Sequence, residues 1–333
     1  MNNEGLSCFF PTTVVLIEDD SYFIDVLSRK LIDIQNITLK AFLSPIEGLN
    51  YVNEVCSINR LDCSDLIKSG EENTSDCVSI LVNINRLHRE IYSMDRFSRI
   101  SVVVSDYSFP EMNGSELCSK VSDPNIQKIL LTGVADEKIA IAAFNKGYIN
   151  HFIKKESSRL DMEITESINE SIRRYFQAHT DNVCKYLSVY DRIRFRDPVF
   201  INFFLDVFSS GSSVEYYMLD SLGGYLFLTA KGEASLLCVM TEHETDRIIS
   251  IGEESGELSS EILTKLKAKE YMLVSHDRYG KLPPISEWEK YLRPARMFRG
   301  YQTYYFSLAG ADVLDLDFKN IKSFEQFRNF LPL

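Results

Sequence analysis

No stretch of this 333-residue chain approaches the roughly 18 consecutive apolar residues that a membrane span requires, and the N-terminus has neither the basic start nor the apolar run of a secretory leader. The seven cysteines (Cys8, Cys56, Cys63, Cys77, Cys118, Cys184, Cys238) include no CxxC pair, so neither a zinc site nor a disulfide framework is indicated and reduced thiols are expected. Positive charge is scarce as well. With 36 Lys and Arg against 48 Asp and Glu the net charge is −12, which argues against non-specific nucleic-acid binding by the whole surface and leaves only a local basic stripe open. No GK[ST] follows the glycines of residues 221–224, and Glu242-His243-Glu244 lacks the HExxH spacing of a zinc site. These absences point to a cytoplasmic chain without a membrane partner, with material for about two domains.

What is present is an alternation of short β-branched runs and helical patterns. Ile100 to Val104 reads as a strand buried on both faces, ending at Asp106. Pro110 and Gly114 then turn the chain away, so that Asp106 is expected to be presented rather than buried. Thr12 to Ile17 is a similar run ending in Glu18-Asp19-Asp20. Three consecutive acids at a strand end suit a divalent cation, the alternative being a solvated loop. Phe23, Leu27, Leu31 and Ile34 mark a first helix, Ile37 to Phe42 a second strand, and Ser44-Pro45-Ile46-Glu47 the capped start of a second helix. Helix 115–122, the strand Ile126 to Leu131 ending at Thr132, helix 136–146 and the strand Ile149 to Ile153 ending at Lys154 complete the series. Five such units predict a doubly wound, five-stranded parallel sheet that gathers Glu18, Asp19, Asp106, Thr132 and Lys154 at one edge.

Two stretches exceed what this architecture needs. Residues 51–98 hold an insert with an exposed polar loop at 69–76, and Val78, Leu81, Val82, Leu87 and Ile91 predict an added amphipathic helix that either covers a sheet edge or docks a partner. The last helix repeats Leu160, Ile164, Ile168, Ile172 and Phe176 and runs on through Tyr186 and Leu187. Its first half serves the core, and its continuation fits a second domain or a second chain.

The spacing of Asp106 with Pro110, Met112 and Gly114, and the interval from Thr132 to Lys154, resemble the receiver domains of two-component response regulators, flavodoxin-like in fold. The departures are the insert, Lys155 where a proline commonly follows the lysine, and His151 where an aromatic switch residue is usual. The resemblance implies that Asp106 accepts a phosphoryl group from a sensor histidine kinase, with slow autodephosphorylation as the only other chemistry. It further implies Mg2+ held by Glu18, Asp19, Asp106 and the Ser108 backbone carbonyl, Lys154 pairing with the phosphate, Thr132 and His151 forming the switch, and a homodimer that depends on phosphorylation.

The receiver is assigned to residues 1–178, a linker helix to 179–196, and a smaller α+β output domain to 197–333. Asp197-Pro198 opens an aromatic-rich helix. A three-stranded meander follows (214–219, 225–228, 234–240), then helices near 242–253 and 259–270, a strand at 303–308 and a helix near 321–330. No helix-turn-helix can be placed. Two basic stretches stand out, Arg192, Arg194 and Arg196, and residues 278–299 with Arg293, Arg296 and Arg299, which would share a helix face with Pro294 in its first turn. They fit a solvated face, a bound phosphate or nucleotide, or the DNA backbone. The order of a receiver and this second domain resembles the quorum-sensing response regulators of Legionella, which implies regulation of gene expression and an output fold similar to nucleotide-binding ones. The rival reading is a transcription factor that contacts DNA through residues 192–196 and 278–299.

Overall fold

The computed structural model describes residues 6–31, 34, 36–59, 67–69, 80–82, 89–133, 137–185, 192–219, 223–275 and 282–330. Two compact units emerge, one of residues 10–62 and 94–181, the other of residues 1–9, 63–93 and 182–333.

The first unit is the expected α/β sheet. Its strands are β1 (Thr12–Ile17), β2 (Ile37–Phe42), β3 (Ile100–Asp106), β4 (Gln127–Thr132) and β5 (His151–Lys154), all parallel, in the order β2-β1-β3-β4-β5. Every residue of β1, β3 and β4 is buried, as the continuous apolar runs require of strands covered on both faces. The helices are α1 (Ser21–Leu31), α2 (Pro45–Ile58), α3 (Gly114–Ser119), α4 (Glu137–Asn145) and α5 (Leu160–Cys184). Ser44 caps α2, its Oγ accepting from the Glu47 N–H with Pro45 in the first turn. On α5 the residues Ile164, Ile168, Ile172 and Phe176 are all buried, and Phe176 meets Phe10 edge-on at 4.9 Å. The strand order reverses between β1 and β3, so the crevice outside their C-terminal ends is where such a sheet receives a ligand.

The second unit is a six-stranded antiparallel sheet with helices. Its order is Cys8–Phe9, Ser213–Met218, Gly224–Thr229, Ala234–Thr241, Thr303–Gly310, Arg296–Arg299. The helix Pro198–Ser210 lays Phe200, Phe203, Phe204 and Phe208 on one face of this sheet, against Tyr216, Tyr225, Phe227, Phe298, Tyr304 and Phe306. Asp197 caps that helix and ties it down. Fully buried, its carboxylate accepts from the Val199 N–H at 3.0 Å, the Tyr301 N–H at 2.6 Å and the Tyr304 hydroxyl at 2.9 Å. The helix Glu242–Ser255 carries a complete capping box on Thr241 and Glu244.

Several expectations need correction. Cys8 and Phe9, in the range assigned to the receiver, pair with Tyr217 and Tyr216 and extend the sheet of the other unit, which also takes in residues 63–93. In the insert, Ile80–Val82 is a strand paired with Ile67–Ser69 where a helix was expected. Residues 70–79 and 83–88 lie outside the described residues, while Ile91 sits in a short 3-10 turn, fully buried, with its carbonyl accepting from the Lys322 N–H at 2.9 Å. The last receiver helix stops at Cys184, and residues 186–191, including Tyr186 and Leu187, again lie outside the described residues. Arg293, Arg296 and Arg299 share no helix. Arg293 stands in the strand Leu292–Pro294 paired with Tyr271–Leu273, and the other two lie three apart on a strand, hence on opposite faces of it.

Candidate functional site

The site is built at the C-terminal ends of β1 and β3. Immediately after β1 come Glu18 and Asp19, and Asp106 is the last residue of β3. One carboxylate oxygen from each of the three lies within 4.8 Å of the others. Glu18 and Asp106 are only 3% and 5% exposed, so Asp106 is buried, contrary to the expectation that the turn would present it. The third acid of the run does something else: Asp20 Oδ1 accepts from the N–H groups of Tyr22 and Phe23 and so caps α1.

Gly114 explains how Asp106 is held. The chain returns so close under the strand end that a Cβ at Gly114 would lie 1.9 Å from the Asp106 carbonyl oxygen, and the Gly114 N–H donates to the Tyr107 carbonyl at 2.8 Å. The Ser108 N–H donates to Asp106 Oδ2 at 3.1 Å. That leaves Oδ1, which faces an ammonium.

That ammonium belongs to Lys155 rather than to Lys154. Lys155 Nζ lies 2.8 Å from Asp106 Oδ1 and 2.7 Å from Glu18 Oε2, with the ring of Phe23 4.8 Å away. Lys154 still belongs to β5, paired with Thr132. Lys155 is the first residue past the strand, at the start of a turn, and is free to lean over the sheet edge. This contact with the acids thus comes from the residue next to the expected Lys154. A signal for it was in the sequence, since a second lysine stands where the family usually has proline.

The charges shape one another. Burial is the largest influence on Glu18 and pushes its carboxyl above the usual range; the Lys155 hydrogen bond works against this and the Asp106 charge adds to it. Burial alone would lower the Lys155 ammonium, but its hydrogen bonds to Asp106 and Glu18 prevail and hold it above its ordinary value.

The remaining expected residues are placed as follows. Thr132 ends β4, fully buried, with its hydroxyl directed at the Ile153 carbonyl at 3.5 Å. His151 opens β5, half-buried, and its Nε2 is buried without a hydrogen-bond partner. Among the arginines Arg194 is buried, donating to the Val239 carbonyl and pairing with Glu244. Its neighbour Arg192 is half-buried and Arg196 exposed. Arg293 pairs with Asp312, while Arg296 and Arg299 are exposed.

The donor set fits a hard divalent cation, since all three groups offer carboxylate oxygens from one small region of the strand ends.

A parallel sheet of order 2-1-3-4-5 with acids at the C-terminal ends of its first and third strands and lysines at the end of its fifth defines a receiver domain. No protein-family model and no curated protein matches this chain. Among solved structures, that of the Legionella pneumophila response regulator LqsR is similar over 99% of this chain and 98% of that one, at 31% identity and a TM-score of 0.81. Receiver-domain proteins of Clostridium thermocellum (18% identity, TM-score 0.33) and Methanospirillum hungatei (16%, 0.33) cover 49% and 50% of this chain and 95% and 96% of their own. The chain belongs to the response regulators, in the family of LqsR. Among the described residues no helix is long and apolar enough to cross a membrane.

Proposed function

We propose that the chain is a phosphorylation-switched signalling protein in which Asp106 accepts a phosphoryl group from the phosphohistidine of a sensor kinase. A bond forms between an Asp106 carboxylate oxygen and phosphorus while the phosphorus–nitrogen bond breaks, its electron pair returning to the imidazole of the donor. The observation that carries this reading is the convergence of Glu18, Asp19 and Asp106 at the strand ends with the Lys155 ammonium on Asp106. Mg2+ held by Glu18, Asp19, Asp106 and the Ser108 carbonyl would supply charge neutralisation for the incoming phosphoryl. Gly114 and the Ser108 N–H hold the Asp106 carboxylate in place, and Lys155 is the cation within reach of an added phosphate. Thr132, one strand over, supplies the hydroxyl that re-bonds to the phosphate, with His151 as its partner in the switch.

The output follows from the second unit. Phosphorylation changes homodimerisation and the state of that α+β unit, which regulates gene expression, in quorum sensing, through a bound nucleotide or a protein partner in the cytoplasm. Direct contact with DNA has less to stand on, because Arg194 is buried in a structural ion pair and Arg296 and Arg299 diverge from one another.

The test is labelling by a small phosphodonor such as acetyl phosphate with Mg2+. The chain is expected to take up one phosphoryl group, Asp106→Asn none, with the circular dichroism of the variant unchanged. Undiminished labelling of a folded Asp106→Asn protein overturns the reading.

A further inference from the structure

We propose that the strand Arg296–Arg299 is a docking edge for an extended, acidic peptide segment of another protein, which adds to the six-stranded sheet as its next strand. Arg296–Arg299 is the last strand of that sheet and pairs on one side only, with Thr303–Gly310. In an antiparallel ladder alternate N–H and C=O groups of such a strand point away from the sheet. Among the described residues these outward groups have no backbone partner. The Ala295 N–H donates to the Glu270 carbonyl at 2.8 Å and the Gly300 N–H to the Gln302 carbonyl at 3.0 Å, so the neighbouring bonds bound the open stretch without entering it. The edge is also held in shape. Phe298 stacks on Phe203 at 4.2 Å and on Tyr304 at 4.9 Å, so an incoming strand meets a backbone that is already ordered, which lowers the cost of pairing.

The side chains decide which strand this edge accepts. Arg296, Met297 and Arg299 are exposed, and so is Tyr301 at the tip of the hairpin that follows. Among the described residues neither guanidinium has an ion pair or a hydrogen bond, whereas Lys265, Lys267, Lys269 and Arg293 of the same unit each pair with a carboxylate. A second copy of this edge would set arginines against arginines along a short ladder, where like charges are unfavourable. An acidic strand meets the opposite condition. Arg296 and Arg299 project from opposite faces, so the carboxylates that answer them stand three residues apart on the added strand, with an apolar residue between them to cover Met297. A DNA duplex fits less well, because its phosphates supply none of the alternating donors and acceptors that an open strand pairs with. The proposal is independent of the phosphoryl-transfer reading, which concerns the acids of the other unit.

The experiment uses the full, unphosphorylated chain and a fluorescent peptide of sequence Thr-Glu-Val-Ile-Glu-Thr, followed by anisotropy and by hydrogen exchange. The peptide is expected to bind saturably, to slow amide exchange at residues 296–299, and to lose binding when alternate amides are N-methylated, a change that keeps its charges and removes the ladder. Arg296→Glu and Arg299→Glu are each expected to weaken binding roughly tenfold, while Lys231→Glu, at an exposed lysine of another turn, stays within about twofold. The charge-reversed peptide Thr-Lys-Val-Ile-Lys-Thr is expected to bind the doubly substituted chain better than the wild type, which also shows that the variant is folded. No saturable binding, or slowed exchange in a different segment, overturns the proposal. Binding indifferent to N-methylation overturns it too, since charge alone would then account for the contact. Duplex DNA that protects the same amides more strongly than the peptide would assign the edge to nucleic acid instead, and protection that rises with the concentration of the chain alone would assign it to a second copy.

Discussion

Beneath Asp106 the backbone passes so close that only a hydrogen fits on the Cα of residue 114. Alanine there would meet the Asp106 carbonyl at 1.9 Å and Leu130 Cδ1 at 2.8 Å, and a carbonyl in a central strand cannot step aside. Gly114→Ala is expected to destabilise the chain by about 1–3 kcal/mol and to slow phosphoryl uptake by Asp106 further than that loss explains, checked by urea unfolding and by the labelling rate of the folded protein. The residue types of the site, Glu18, Asp19 and Asp106 at strand ends, were legible because a continuous apolar run must stop somewhere and the acids mark the stop. Which of two adjacent lysines reaches the acids was not. Lys154 and Lys155 are chemically alike, and what separates them is the point where β5 gives way to a turn, a boundary that sequence patterns locate only to within a few residues.

At the scale of single elements, β5 and the helix Pro198–Ser210 each carry a buried polar group whose loss has a readable sign. His151 on β5 has its imidazole pushed below its ordinary 6.5, by burial first; Glu170 opposes this and Arg174 adds to it. The unfolded chain therefore takes up a proton near the ordinary value while the folded one resists until lower pH, so stability falls as pH drops through that window. Thermal melts between about pH 7.5 and about pH 5.5 should show a steeper acid-side loss for the wild type than for His151→Phe; equal slopes would remove His151 as the cause. In Asp197 the carboxylate that caps one helix also holds the chain at Tyr301 and Tyr304. Asp197→Ala removes a cap and strands buried donors, an expected cost of about 2–4 kcal/mol in urea unfolding. The helix it starts was plain from Asp-Pro and the aromatic spacing. The strand Arg296–Arg299 was missed because it is an edge whose four residues show no clear alternation: Met297 is 57% exposed beside an inward Phe298. Without a recognisable period, three arginines at spacing three read as a helix face.

Over the whole molecule, the five-stranded parallel sheet could be anticipated because alternating β-α units leave few topologies. The composition of the second unit could not. Nothing in Cys8-Phe9 alone says that it pairs with Tyr217 and Tyr216, some 200 residues away, since strand pairing at such distance is decided by which edge is available rather than by local pattern. The insert was likewise placed in the receiver's range, to cover a sheet edge or dock a partner, whereas the Ile91 carbonyl accepts from the Lys322 N–H and the Tyr92 hydroxyl from the Asp317 N–H of the C-terminal segment. A fragment of residues 182–333 therefore lacks an edge strand, the Phe9 ring that stacks on Tyr216 at 5.7 Å, and the buried Ile91. Expressed alone, it is expected to melt several degrees below the corresponding transition of the full chain and to self-associate through the uncovered edge of Ser213–Met218. Adding back residues 1–9 ahead of it through a flexible linker should recover part of that loss, and Phe9→Ala in the full chain should reproduce part of it. A fragment that melts with the full-length transition would mean that the three segments are stitched together without mutual dependence.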